Sequence, residues 1–466
     1  MKSTARHFSV RQRGIAACLG WIILALPNWA APKNDFADLA KLDFREVVRQ
    51  SKDSVFPTVV FIKCVRESHE HGKKQFQEVA GSGVLISPQG EILSNWHVVD
   101  KATEIRCLLF DGRAFYADTV GADKDLDLAL IRLRLPDAAK IEPYAALGDS
   151  SKLKEGDFVM AMGAPWGLTR SVSIGIVACT RRYLKGNSEY SLWLQTDASI
   201  SPGNSGGPLV STAGEVVGIN TMGAIFGGDL GFAVPSATIR EVLPRLREHG
   251  DADWSWTGLE IQAIRDFNRN VYFEGSNGVI VASVVPGGPA QQAGIRDRDR
   301  ILAVNGLPVN GYAEEDLPAI RRMFGLLPVG QPAAMEVRRG DEKLAIAIVP
   351  RRKGKVEGTE LDCPRWDLTI KAINQFDNKD LYFYRKEGVF IFAVRHPGNA
   401  STAGLMPRDI ILEIDGANVA TVDQLKDIHG RSLADIGTRT RVLLKVLRNG
   451  TMRQVILDFA RDYEKE

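Results

Sequence analysis

Strong charge of either sign is missing from this chain. Its 466 residues carry a net charge of +2, with 25% charged residues. That field is too weak to argue for nucleic acid or an anionic membrane as a partner. The doublets Arg181-Arg182, Arg338-Arg339 and Arg351-Arg352 are scattered and read as solvated loop ends. Histidine and cysteine are scarce as well, at seven and five residues, and no C-x-x-C or His/Cys spacing occurs. No metal site and no cofactor is therefore expected. His69 and His71 lie in a polar segment and read as solvated. The hydrophobic content of 44% is ordinary for folded protein and argues against long disorder.

The N-terminus lacks the length of a membrane span. Ile15 to Leu26 is an apolar run of twelve residues, against the roughly 20 that cross a bilayer. Lys2, Arg6, Arg11 and Arg13 precede it, Pro27 breaks it, and Ala30 offers a cleavage site. Residues 1–30 are thus expected to be a cleaved signal peptide, with an uncleaved N-terminal anchor as the alternative. Export leaves Cys64, Cys107, Cys179 and Cys363. Cys64 and Cys107 each continue an alternating strand pattern, so two buried thiols and a Cys64–Cys107 bridge both remain open.

What is present is a loop built for acyl transfer. Gln195 to Leu209 contains Pro202-Gly203-Asn204-Ser205-Gly206-Gly207-Pro208. Its glycines allow successive N–H groups to converge beside a hydroxyl, as an oxyanion hole requires. Upstream, Ile92 to Val99 is an apolar run that includes His97, and Asp123-Lys124-Asp125-Leu126-Asp127 is an acidic turn entering a strand pattern. The order His, Asp, Ser is that of the chymotrypsin-type double β-barrel, not of subtilisins or α/β-hydrolases. Pro208 and a strand pattern follow the serine where a hydrolase elbow would continue into a helix.

Strand signals separated by Gly, Pro and Asp turns run from Val55 to about Val234 and indicate an all-β unit. Ser236 to His249 has a cap and apolar spacing, which predicts a closing helix. Residues 31–54 show helical spacing at Phe36, Leu39, Leu42 and Val47 and read as an N-terminal arm. The C-terminal half repeats itself with an offset of 110 residues: Trp256 with Trp366, Tyr272-Phe273 with Tyr382-Phe383, Gly278-Val279 with Gly388-Val389, Ala293-Gly294 with Ala403-Gly404. This period is too long for a solenoid unit and means two copies of one module. The expected domains are the protease at 55–250, modules at 254–352 and 364–461, and a linker at 353–363. The fold class is mainly β, a double barrel followed by two α+β modules.

Pro286 to Gly306 resembles a PDZ domain, and 397–416 resembles a second. PDZ domains add an extended peptide to a sheet edge and hold its terminal carboxylate by backbone N–H groups. The resemblance puts the first carboxylate loop at Thr257, Gly258, Leu259 and Ile261, and the second near Asp367-Leu368-Thr369, where glycine is lacking. With Ser94-Asn95-Trp96-His97-Val98-Val99, Asp127-Leu128-Ala129-Leu130 and Gly203-Asn204-Ser205-Gly206-Gly207-Pro208-Leu209, the chain from about residue 55 resembles the HtrA (DegP-like) serine proteases. The resemblance implies His97 as general base, Asp127 as its orienting partner and Ser205 as nucleophile, with Asp123 and Asp125 as decoys. It implies an oxyanion hole from the N–H groups of Gly203 and Ser205, with Asn204 as a further candidate. Ser199 resembles the floor of the specificity pocket, and Ile225 and Phe226 would wall it.

The expected function is an exported, ATP-independent serine endopeptidase of protein quality control in the bacterial periplasm. Its partners would be unfolded polypeptides and C-terminal peptides, and it would assemble as a homotrimer or a multiple of trimers. The alternatives are a mainly latent peptide-binding chaperone or scaffold, and a signalling protease with a single target.

Overall fold

The computed structural model describes residues 43–165, 170–223, 230–265, 277–463 and 465. The expected signal peptide, most of the arm, Ile225, Phe226 and Tyr272-Phe273 lie outside them. Val47–Glu466 forms one compact unit, which holds both barrels and both modules. The helix α1 (Phe44–Val55) leads the described chain.

Short runs of alternating apolar residues build two barrels. The first comprises β1 (Val59–Ser68), β2 (Gln75–Leu85), β3 (Glu91–Ser94), β4 (Ala102–Leu108), β5 (Ala114–Asp123) and β6 (Leu128–Leu133), and closes in the order β1-β2-β3-β6-β5-β4. The second comprises β7 (Phe158–Gly163), β8 (Ser171–Arg182), β9 (Trp193–Thr196), β10 (Pro208–Ser211), β11 (Val216–Gly223) and β12 (Gly231–Pro235), and closes as β10-β11-β12-β9-β8-β7. Closure leaves neither barrel with an unpaired edge. The predicted closing helix is α2 (Ser236–His249). It buries Ile239, Val242 and Leu246 in a core shared by Leu93 and Leu128 of the first barrel and Met160 and Ile219 of the second. Burying side chains of this size stabilises by about 1.5–3 kcal/mol each, so α2 helps to hold the two barrels together.

The repeat appears as two sheets of one design. The first module has β13 (Ser255–Trp256), β14 (Leu259–Gln262), β15 (Val279–Val284), β16 (Arg300–Val304), β17 (Leu307–Pro308), β18 (Ala333–Arg339), β19 (Glu342–Ile348) and β20 (Arg351–Arg352), with helix α3 (Leu317–Gly325). Its main sheet runs β14-β15-β16-β18-β19, while β13 pairs with β20. The second has β21 (Glu360–Cys363), β22 (Leu368–Ala372), β23 (Val389–Val394), β24 (Ile410–Ile414), β25 (Ala417–Asn418), β26 (Arg441–Arg448) and β27 (Thr451–Asp458), with helix α4 (Val422–Ala434). Its sheet runs β21-β22-β23-β24-β26-β27. The order is the same, with one strand added at the edge.

Two readings of the sequence need correction here. Residues 360–363 are not linker; they are that added strand. The 110-residue register also slips at the start of the module. The Val285 N–H donates to the Gly258 carbonyl, and the Arg395 N–H donates to that of Asp367. Asp367 therefore stands where Gly258 does, and Trp366 matches Thr257, not Trp256. The buried Trp366 ring packs on Phe459 in the second core.

The four cysteines among the described residues are free. Ile62 lies opposite Cys107, and Cys64 lies opposite Ile105, so the two sulfurs are each held in the barrel core. Burial pushes the Cys64 thiol up to about 12 and raises that of Cys107 further, which keeps both unreactive.

Candidate active site

Three connections deliver the candidate triad to the junction of the barrels. His97 lies in the helical turn Trp96–Val99 directly after β3. Asp127 ends the turn between β5 and β6 and adopts φ +51°, a left-handed conformation that aspartate tolerates better than most residues. Ser205 lies in the loop between β9 and β10. Histidine and aspartate thus come from one barrel and serine from the other.

The Asp127 carboxylate lies 2.8 and 2.9 Å from His97 Nδ1 and accepts the His97 backbone N–H at 3.0 Å. The Asp127 carbonyl accepts the Asn95 amide at 2.8 Å, and the Thr221 hydroxyl donates to its carboxylate. Asp127 is largely buried, whereas the His97 side chain remains 41% exposed. An Nδ1-bound carboxylate fixes the tautomer that leaves Nε2 free to accept a proton. Asp123 and Asp125 are engaged elsewhere: Asp123 accepts the Leu126 N–H and the Trp254 indole N–H, and Asp125 pairs with Lys353.

The Ser205 hydroxyl donates to the Thr221 carbonyl at 2.9 Å. Among the described residues it makes no hydrogen bond to the His97 ring. Its loop is clamped to β2 of the opposite barrel. The Ser82 N–H donates to the Ser205 carbonyl at 2.8 Å. The Ser82 hydroxyl donates to the Gly203 carbonyl at 2.6 Å and accepts the Ala164 N–H. Gly206 is required by this clamp: its φ is +85° and a Cβ there would strike the Ser82 carbonyl.

Of the three oxyanion candidates, Asn204 is corrected. Its N–H donates to the Ser201 carbonyl at 3.0 Å and its carbonyl accepts the Gly207 N–H, so Asn204 forms the turn and is no free donor. Among the described residues the N–H groups of Gly203 and Ser205 donate to no protein partner, which leaves them available to a ligand oxygen. Ser199 is exposed, and its carbonyl accepts the Ser173 hydroxyl at 2.6 Å.

In the first module Gly258 has φ +72°, and the Thr257 carbonyl accepts the Ala290 N–H. Leu259 is half-buried, and β14 forms the sheet edge. Ile261 is corrected: its side chain is buried in the module core, so only its backbone is at that edge.

Sequence reasoning missed Ser82, Thr221 and His69. Ser82 sits in Gly81-Ser82-Gly83 and Thr221 in a strand; neither carries a local signal, because their partners come from other strands. His69 is buried between Glu67 and Glu360, not solvated, whereas His71 is exposed as expected. Among the described residues no group of His, Cys, Asp and Glu is placed to hold a metal, and no helix is long and apolar enough to cross a membrane.

Comparison with known proteins agrees with this fold. Residues 81–219 match the trypsin-like peptidase domain family, and residues 280–339 match the PDZ domain family. The chain is 31% identical over 391 residues to the probable periplasmic serine endoprotease DegP-like of Chlamydia trachomatis, covering 82% of this chain and 75% of that protein. It is 34% identical over 403 residues to the protein of the same name from Hahella chejuensis, covering 82% and 81%. Among solved structures, the HtrA-type protease AlgW with a tripeptide aligns with a TM-score of 0.58 at 30% identity, over 66% of this chain and 97% of that one.

Proposed function

This chain belongs to the DegP-like serine endoproteases, and on that premise we propose that it degrades unfolded or mistargeted proteins without ATP. It is a serine endopeptidase of the HtrA type; the quality-control role, the periplasmic location and the division of labour between its modules are our reading. Location rests on relatives named periplasmic. Assembly as a homotrimer or a multiple of trimers rests on the family resemblance. We assign residues 55–250 to the protease and 254–352 and 364–461 to two PDZ domains, with 353–359 as linker.

In this reading His97 takes the Ser205 proton as the hydroxyl attacks the peptide carbonyl. Asp127 holds the ring and stabilises the imidazolium. The N–H groups of Gly203 and Ser205 receive the oxyanion, each contributing about 10²–10³-fold in rate. Ser82 and Thr221 position these groups without touching substrate. The uncharged Ser199 leaves nothing to pair with a basic side chain, which favours cleavage after small or medium apolar residues. The first PDZ domain takes C-terminal peptides at Thr257, Gly258 and Leu259 and along β14. The observation that carries the reading is the His97–Asp127 pair at 2.8 Å beside a clamped serine loop.

One observation favours a resting protease that a ligand activates: the Ser205 hydroxyl donates to Thr221. Casein digestion without nucleotide, with and without a C-terminal peptide, tests both readings. Casein should be cut mainly after Val, Ala, Leu or Ile, and faster with peptide. Intact casein in both arms, or a majority of cuts after Lys or Arg, would contradict the proposal.

A further inference from the structure

The two modules share one strand order and differ at one edge. In the first, β14 ends the sheet. In the second, the equivalent strand β22 is covered by β21, antiparallel, with Glu360 opposite Lys371, Leu361 opposite Ile370, Asp362 opposite Thr369 and Cys363 opposite Leu368. A peptide ligand added to a PDZ edge would make this same ladder.

The match extends to side chains. Helix α4 packs over both β21 and β22, so β21 lies between helix and sheet edge. Cys363 is fully buried in the core with Leu425 of α4, and Leu361 packs against the same core. These are alternate residues of one extended segment, as pockets for every second side chain require. His429 of α4 holds the chain just beyond, its Nε2 2.8 Å from the Pro364 carbonyl.

The carboxylate end is filled as well. Asp367 takes the left-handed position of Gly258, at φ +57°. Its buried carboxylate accepts the Asn399 N–H at 2.8 Å and lies 3.3 Å from Arg395. A negative group therefore already sits at the loop where a peptide terminus would bind.

We propose that the second module's peptide groove is occupied by the chain's own segment Glu360–Cys363, which acts as a built-in ligand and closes that groove to C-terminal peptides. The same segment ties the module to the protease. The Glu360 carboxylate lies 2.8 Å from Lys101 Nζ and 3.3 Å from His69 Nδ1, both of the first barrel. The Thr369 hydroxyl donates to the His69 carbonyl at 2.9 Å. Gly72, between β1 and β2, abuts the backbone of Val394 and Arg395 so closely that a Cβ would not fit. The second module is accordingly a clamp on the first barrel and the first module is the receptor.

The inference rests on reading both modules as PDZ domains. Hydrogen–deuterium exchange on full-length Ser205→Ala protein separates the two claims, using a synthetic octapeptide that copies residues 356–363 with a terminal Val in place of Cys. The peptide should slow exchange in residues 259–262 by at least about tenfold and leave 368–372 unchanged. In the Leu361→Asp/Cys363→Asp double variant, 368–372 should exchange at least about tenfold faster and become protected by the peptide. Protection of 368–372 in the chain with its own Leu361 and Cys363, or unchanged exchange there in the double variant, would overturn the inference. A peptide that protects neither module refutes the PDZ reading, and the self-filled groove is then decided by the peptide-free comparison. Should the double variant fail to fold, maleimide labelling of the parent chain decides. Cys363 should react at least about 100-fold more slowly than Cys179, and comparable rates would overturn the inference.

Discussion

The Lys353 ammonium lies 2.7 Å from the Asp125 carboxylate, so a residue from the inter-module linker is bonded two positions from Asp127. Lys353 also lies 3.0 Å from the Tyr190 hydroxyl and over its ring, and Tyr190 stacks on Trp254. Burial opposes the charge on Lys353, but Asp125 and Tyr190 outweigh it and hold the ammonium more firmly protonated than an ordinary lysine.

Lys353→Met should strand the Asp125 charge and destabilise the protein by about 3 kcal/mol in urea unfolding. The double variant Lys353→Met/Asp125→Asn should lose less than the single one. Loss of kcat with little change in KM is expected, because the turn carrying Asp127 is anchored there. Equal stability of single and double variants would contradict the pairing.

Asp123 gives the site a pH dependence. Burial, reinforced by the Asp125 charge, pushes its carboxyl from 3.8 up to about 7, against the opposing pull of the Leu126 N–H, Trp254 and Lys353. A folded-state value above the unfolded one means the folded protein binds the extra proton. The stability it contributes is complete below about pH 4 and is lost as pH rises through about 7. Asp123→Asn, which stays neutral, should therefore escape that loss, its stability relative to the parent rising as pH goes from about 4 to about 7. Melting curves across that range check this, and parallel curves would contradict it.

Ser82 is predicted to act through the Gly203 peptide. Ser82→Ala removes the hydroxyl that fixes the Gly203 carbonyl and leaves that carbonyl short of a donor, a cost of about 1–3 kcal/mol. The expected result is a fall in kcat of about tenfold or more with KM nearly constant. Ser82→Thr should restore most of it. A change confined to KM would show that Ser82 does not orient the oxyanion donors.

Much of this was legible in the sequence where the signal is local. The strand patterns, the helix at Ser236–His249 and the loop around Ser205 each occupy a continuous stretch, and the structure forms them there. Asp127 is marked in the sequence by its place before Leu128-Ala129-Leu130, and it faces His97 while Asp123 and Asp125 turn to Trp254 and Lys353. Long-range partnerships left no such trace. Ser82 meets Gly203 across 121 residues, and Thr369 meets His69 across 300. The edge role of Glu360–Cys363 was hidden because four residues in a polar linker resemble a connection until they pair. The sequence does not separate Asn204 from Gly203 and Ser205 as an oxyanion donor, because spacing says nothing about which N–H groups a turn consumes.

We propose Ser205 as a nucleophile activated by His97, whose ring Asp127 orients. Fluorophosphonate labelling of the full chain, read by peptide mass mapping, tests it most directly. One label per chain is expected on Ser205, lost in Ser205→Ala, and slowed by about 10⁴-fold or more in His97→Ala and Asp127→Asn but by less than about tenfold in Asp125→Asn. Labelling at another serine, or labelling of Ser205 at an unchanged rate in His97→Ala, would contradict it.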